Sequence, residues 1–266
     1  IIRKGTIMKI IPYLGGLIFV MVLYLIAWPV PIDPVAWQPL PAPQLEGQYA
    51  INDYLAAVEI IGKDEGIGPE DVDVDDEGRI YGAYLDGTII RFSPNGENLG
   101  VFANTEGRPL GLDFDTAGNL IIADAKKGLL SADKNGTIRV LATEIDGTPF
   151  GFTDDVDIGP DGIIYFSDAS EKFGVNDYRA DLFEHRPHGK ILSYDPVSEN
   201  LTLLLDGLYF ANGVAVDPNG QFLLFNETYD YSVSKYWLQG PKSGTREKIF
   251  INTPGFPDGI STGSKG

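Results

Sequence analysis

Four short segments of this chain place an oxygen-bearing side chain just ahead of an apolar stretch. They are Gly68-Pro69-Glu70-Asp71, Phe152-Thr153-Asp154-Asp155, Ala211-Asn212-Gly213 and Gly255-Phe256-Pro257-Asp258-Gly259. Glu70, Asp154, Asn212 and Asp258 are the candidate metal ligands. Carboxylates with an amide oxygen, and no His or Cys among them, suit a hard cation such as Ca²⁺. Three carboxylates held together repel one another, and a cation is what lets all three stay ionised. Taken singly, each is an ordinary turn residue at a strand start. Their matching places in a repeat are what point to a shared metal.

The repeat is what must position them. A turn of the type Asp/Pro-x-Gly followed by a short apolar strand recurs with glycines at 78, 118, 162 and 220. An alternating strand precedes each turn: Val72/Val74, Leu112/Phe114, Val156/Ile158 and Val214/Val216. A third strand follows at Thr88–Phe92, Gly128–Ser131, Lys190–Tyr194 and Val233–Leu238, and a fourth at Leu99–Phe102, Ile138–Leu141, Leu201–Leu205 and Lys248–Ile251. Four short strands per roughly 40–50 residues is the pattern of a propeller blade. The fold class is therefore all-β, a β-propeller, with blades expected at 68–105, 107–146, 147–207 and 208–253. A fifth is expected to begin near Gly255, so the chain reads as a C-terminally truncated propeller. Tyr54–Ile61 reads as a lone strand ahead of the first blade. Equivalent positions of successive blades converge on a central channel, which brings Glu70, Asp154, Asn212 and Asp258 to one axis.

Composition narrows the class of function. Of 266 residues, 43% are apolar, enough for a packed core. The formal net charge of −18 repels phosphate backbones and argues against nucleic-acid binding. The absence of cysteine excludes disulfides, thiolate metal centres and a cysteine nucleophile.

The N-terminal region predicts a membrane tether. Ile10 to Ile32 carries no charge, long enough to cross a bilayer core of roughly 30 Å. Tyr13 and Trp28 stand near its ends; Arg3, Lys4 and Lys9 precede it, and Asp33 follows. This charge order predicts a cytoplasmic N-terminus and an exported C-terminal domain. The length, and the bulky Trp28-Pro29-Val30-Pro31 after it, favour a signal anchor over a cleaved signal peptide. Met8 is an alternative start. The expected organisation is 1–9 cytoplasmic, 10–30 transmembrane, 31–53 a Pro-rich semi-rigid spacer and 54–266 the propeller. Three Asn-x-Ser/Thr triplets occur, at Asn135, Asn200 and Asn226.

An ordered series of motifs resembles a known family. GPEDV (68–72), GRPLGLDFDTAGNLIIADAKKGLL (107–130), FTDDVDIGPDGIIYFSDAS (152–170), HGKILSYDP (188–196), LLLDGLYFANGVAVDPNG (203–220) and PGFPDGI (254–260) are similar to the strictosidine synthase-like group of the gluconolactonase and calcium-dependent lactonase propellers. The likeness covers about residues 60–260. It implies six blades, a calcium ion in the channel, and ligands at Glu70, Asp154, Asn212 and Asp258. The family usually has Asn where Asp154 stands, and often Asn where Gly259 stands in the nearest subgroup. The catalytic Glu of the plant synthase lies beyond the matching part of this chain.

The resemblance implies calcium-dependent hydrolysis of a small ester or lactone, the cation polarising the carbonyl. Asp155 and Asp258 are candidate bases. His185 and His188, the only two histidines, are further candidate bases, since histidines near the channel play that part in some relatives; they lie in a polar loop, an insertion at Asp177–Gly189 that is placed to cover the channel mouth. Ser167 and Ser170 lie near acids, but no G-x-S-x-G elbow is present. The alternatives are a non-catalytic, calcium-stabilised binding propeller and a strictosidine synthase-type amine–aldehyde condensing enzyme.

Overall fold

The turn glycines Gly78, Gly118, Gly162 and Gly220 all take positive φ, between 67° and 81°. In three of these turns an Asp fixes the reversal by accepting two backbone N–H bonds from the same turn. Asp75 takes Glu77 and Arg79, Asp115 takes Ala117 and Asn119, and Asp217 takes Asn219 and Gln221. The chain is thus made to double back at a fixed point of every repeat.

The structure, a computed structural model, describes residues 4–263, with side chains of the first helix described from residue 12. The first blade is β1 (Val72–Val74), β2 (Ile80–Ala83), β3 (Thr88–Phe92) and β4 (Asn98–Asn104). The second is β5 (Pro109–Phe114), β6 (Leu120–Asp124), β7 (Gly128–Ala132) and β8 (Ile138–Ala142). A small hairpin follows, β9 (Glu144–Ile145) with β10 (Thr148–Pro149). The third blade is β11 (Thr153–Ile158), β12 (Ile164–Asp168), β13 (Gly189–Asp195) and β14 (Asn200–Leu208). The fourth is β15 (Ala211–Val216), β16 (Phe222–Glu227), β17 (Ser232–Trp237) and β18 (Arg246–Ile251). Each blade is a four-stranded antiparallel sheet in chain order.

The inner strands β1, β5, β11 and β15 lie side by side. The second strands are buried on both faces and alternate between neighbours. Leu120 and Ile122 of β6 pack with Tyr81 and Ile89 of blade one, while Ile121 and Ala123 pack with Phe166 and Leu192 of blade three. Leu223 and Phe225 likewise meet Tyr165 and Ile191. Each such side chain contributes about 1.5–3 kcal/mol relative to exposure.

Three expectations are corrected. Residues 54–61 form no strand; 54–57 are a turn, with Ala56 N–H donating to Asp53. Ile61 there lies against the Gly96 turn rather than along a sheet edge. No strand follows β18 among the described residues, and residues 255–260 run without strand pairing. The insertion expected as a polar loop contains a short helix, α2 (Tyr178–Glu184).

The chain divides into two units, 1–33 and 34–266. The first contains a helix, α1 (Lys4–Ala27), with Pro12 inside it. Among the described residues no helix is long and apolar enough to cross a membrane. Residues 1–3, and the side chains of Lys4, Met8 and Lys9, lie outside the described set, as do 264–266.

Candidate functional site in the channel

The four predicted ligands line one cavity of about 380 Å³, together with Asp155. A break in strand register presents two of them, Asp154 and Asn212. Thr153 pairs with Asp168 but Val156 pairs with Phe166, so Asp154 and Asp155 share the space opposite Ser167. The same step leaves Asn212 and Gly213 opposite Asn226, and Leu110 and Gly111 opposite Ala123. A bulge at the head of an inner strand re-aims side chains toward the axis. In blade three Ser167 holds it, its Oγ accepting the Asp155 N–H at 3.0 Å.

Acids at the ends of the second strands hold the segments that lead into the site. Asp124 accepts the Arg108 N–H at 2.9 Å, Asp168 the Phe152 N–H at 2.8 Å, and Glu227 the Tyr209 N–H at 3.3 Å. The fourth site residue arrives on the extended segment after β18. Its main chain is fastened by Asn226, which donates to the Asp258 carbonyl, and by Thr228, which donates to the Pro257 carbonyl at 2.9 Å. Gly213 makes this approach possible, because a Cβ there would collide with the Asp258 carbonyl.

Below the ligands the inner strands carry a ladder of aspartates. Asp71 and Asp73 accept the N–H groups of Leu112 and Phe114 in the next blade, each at 2.9 Å. Asp113 accepts that of Ile158 at 2.8 Å. Asp155 and Asp157 accept those of Val214 and Val216 at 2.8 and 2.6 Å. These clasps replace hydrogen bonds that adjacent blades cannot make strand to strand. Asp155, a candidate base, is engaged through both oxygens, since its Oδ1 also accepts the Val156 N–H.

The electrostatics agree with crowding of acid. Burial, then Asp155, Glu70 and Asp258, hold the Asp154 carboxyl well above the usual range. Burial and then Asp258 raise Glu70, against the lowering influence of Arg108, whose guanidinium stands 3.5 Å away. Asp113 is pushed up to about 8 by burial, then by Asp157 and Asp73.

These residues suit a hard cation. Asp154 Oδ2 is buried without a hydrogen-bond partner. The donors are oxygen only. Among the described residues no three His, Cys, Asp or Glu side chains stand close enough to form a tight metal cluster by themselves. The fourth donor, Asn212, is an amide.

The two histidines stand apart. Neither His185 nor His188 lines the channel cavity. His188 Nε2 lies 2.7 Å from Glu184, a fully buried carboxylate that also pairs with Lys172 at 2.6 Å. His185 caps α2 with φ 51° and is sandwiched between Trp37, at 4.3 Å, and Tyr209, at 5.0 Å. Ser170 donates to Asp181 of α2 at 2.6 Å. Burial, then Asp181 and Tyr178, and more weakly Asp154 and Asp258, raise the Tyr229 hydroxyl. It donates to the Tyr178 carbonyl at 3.1 Å, so α2 sits at the ligand end of the channel.

The four-stranded blades and their acidic channel define a β-propeller. Residues 154–241 match the strictosidine synthase family model and 47–92 the N-terminal model of strictosidine synthase-like proteins. Protein STRICTOSIDINE SYNTHASE-LIKE 4 of Arabidopsis thaliana is 37% identical over 86% of this chain and 62% of its own length. The adipocyte plasma membrane-associated protein of Rattus norvegicus is 31% identical over 89% of this chain and 67% of its own. The chain belongs to the strictosidine synthase-like family, and spans about three fifths of the length of the Arabidopsis relatives. In fold it is similar to a gluconolactonase from Xanthomonas campestris, with TM-score 0.60 and 18% identity over 71% of this chain and 64% of that one. It is also similar to regucalcin, a calcium-binding protein of Agrobacterium tumefaciens, with TM-score 0.59 and 16% identity over 76% and 66%.

Proposed function

We propose that the channel holds a calcium ion and that the complete protein, with six blades, hydrolyses small carboxylic esters or lactones. The observation that carries this is the convergence of Glu70, Asp154, Asn212 and Asp258 in one cavity, with a buried carboxylate oxygen of Asp154 left over. Those four side chains would hold the ion. A bound calcium ion supplies Lewis acidity for the substrate carbonyl and for the oxyanion that develops there.

The chain's own groups do the proton work. Asp155 and Asp258 both face the cavity, and Asp155 is committed to the clasp on β15. No hydrogen bond among the described residues engages the Asp258 carboxylate. Held only loosely by the ion, Asp258 would take a proton from the attacking water as the water oxygen bonds to the acyl carbon. The acyl C–O bond then breaks and the proton passes to the leaving alkoxide. His185 and His188, outside the cavity, hold α2 in place.

The uncharged run Ile10–Ile32, and the membrane association in the name of the rat relative, support a tether with an exported propeller. Fractionation of the expressed chain with and without residues 1–33 tests it.

Hydrolysis of phenyl acetate and a small lactone, with calcium and then with chelator, tests the activity. Calcium-dependent turnover lost in Asp258→Ala is expected. No calcium-dependent turnover across the panel sinks the hydrolase reading.

A further inference from the structure

The proline-rich segment does not stand free. Val35 N–H donates to the Glu184 carbonyl at the end of α2 at 2.9 Å. Trp37 meets His185 at a tilt of 33° and, at 5.9 Å and 8° between planes, stacks on Tyr231. The Pro41 carbonyl accepts from Asn252 Nδ2 at 2.8 Å. Residues 35–41 therefore cross from α2 to the segment after β18, enclosing with it a cavity of about 310 Å³.

That segment carries Asp258. Tyr231, under Trp37, stacks at 4.9 Å on Phe256, two residues before Asp258. Tyr231 also holds the segment by its main chain, its carbonyl accepting the Thr253 N–H at 2.9 Å. Phe256 meets Tyr229 edge-on at 6.0 Å, and Tyr229 stacks on Phe210, which precedes Asn212 by two. One continuous set of rings joins the strap to the approaches of two site residues. Phe256 is half exposed and its segment pairs with no strand, so its place depends on these side-chain contacts.

We infer that Trp37 is a positioning residue of the channel site, acting through Tyr231 and Phe256 on Asp258. The inference rests on the reading that Asp258 serves a cation there. The strap is then part of the site's construction, and α2 and the Asp258 segment are set against each other by it. Loss of a group that orients a ligand weakens metal binding by about 10–100-fold.

Calcium titration of the full chain by calorimetry, alongside its urea midpoint, provides the test. Trp37→Ala is expected to weaken calcium binding about tenfold, and Trp37→Phe, which keeps a stacking ring, to restore most of it. In an Asp258→Ala background Trp37→Ala should cost little more, because the two changes act through one residue. Should Trp37→Ala lower the urea midpoint, Asn252→Asp, which removes the donor to Pro41 while keeping a side chain suited to the φ of 59° at this position, carries the same comparison. Wild-type affinity in the strap variants, with affinity lost in Asp258→Ala, overturns the positioning role alone. Wild-type affinity in Asp258→Ala as well overturns the site reading on which it rests.

Discussion

Asp157 Oδ2 accepts the Val216 N–H at 2.6 Å, fastening the inner strand of the third blade to that of the fourth. The donor lies 59 residues along the chain, and no strand pairing joins the two sheets. A side chain does between blades what the backbone does within them. Asp157→Ala leaves a backbone N–H without its partner and is expected to cost about 1–3 kcal/mol. Asp157→Asn, which keeps an acceptor, should cost less. Urea unfolding of both variants measures the difference; equal stability of Asp157→Ala and wild type would remove the clasp's energetic role.

The Asp113 carboxyl sits among acids and keeps its proton to about pH 8 in the fold, against 3.8 for an ordinary Asp. The unfolded chain thus loses this proton first as pH rises. The stabilisation is complete below about pH 4 and is lost as pH climbs through about 8. With chelator present, the melting temperature should fall between pH 6 and pH 9. Asp113→Asn, neutral throughout, should flatten that fall while its amide oxygen still accepts from Ile158.

Asp154 is the most buried acid of the site, and its Oδ2 has no partner. Asp154→Asn removes a charge from a place that resists it. In chelator the variant should melt about 2–4 °C higher, the shift that about 1 kcal/mol produces in a domain of this size. Its calcium affinity should drop about tenfold, as a neutral amide replaces a carboxylate donor. Asp154→Ala, which removes the oxygen donor altogether, would take Asp154 out of the ligand set if it bound calcium as tightly as wild type.

His188→Ala removes a partner from the buried Glu184 without touching the channel cavity. Cleavage in 177–189 under limited proteolysis should quicken, while calcium affinity stays as in wild type. A change in affinity instead would place the histidine's influence on the site.

Much of this was legible in the sequence because turn and strand types recur in one order. Asp-x-x-Gly turns mark three of the four blades, and matching places at the heads of successive repeats picked out Glu70, Asp154, Asn212 and Asp258, which the fold brings to one cavity. The aspartate ladder was written there too, in Asp71-Val72-Asp73 and Asp155-Val156-Asp157. In sequence it looks like an ordinary alternating strand with a polar face. Only the partner's identity, an N–H of the next blade 41 to 59 residues on, separates a clasp from a solvated face. The bulges gave no signal, because a register step depends on what the second strand offers opposite. Tyr54–Ile61 misled for the reverse reason: its apolar residues suit a strand, but strand formation requires an edge to pair with. The histidines misled because proximity to an insertion says nothing of which way its rings pack.

The bond between Pro41 and Asn252 joins points 211 residues apart. During synthesis from the N-terminus, α2 gives Val35 and Trp37 a first hold once the third blade is made, while the far end of the strap has nothing to grip. It settles only after β18 has been made, so the earliest part of the domain to leave the ribosome is among the last to find its place.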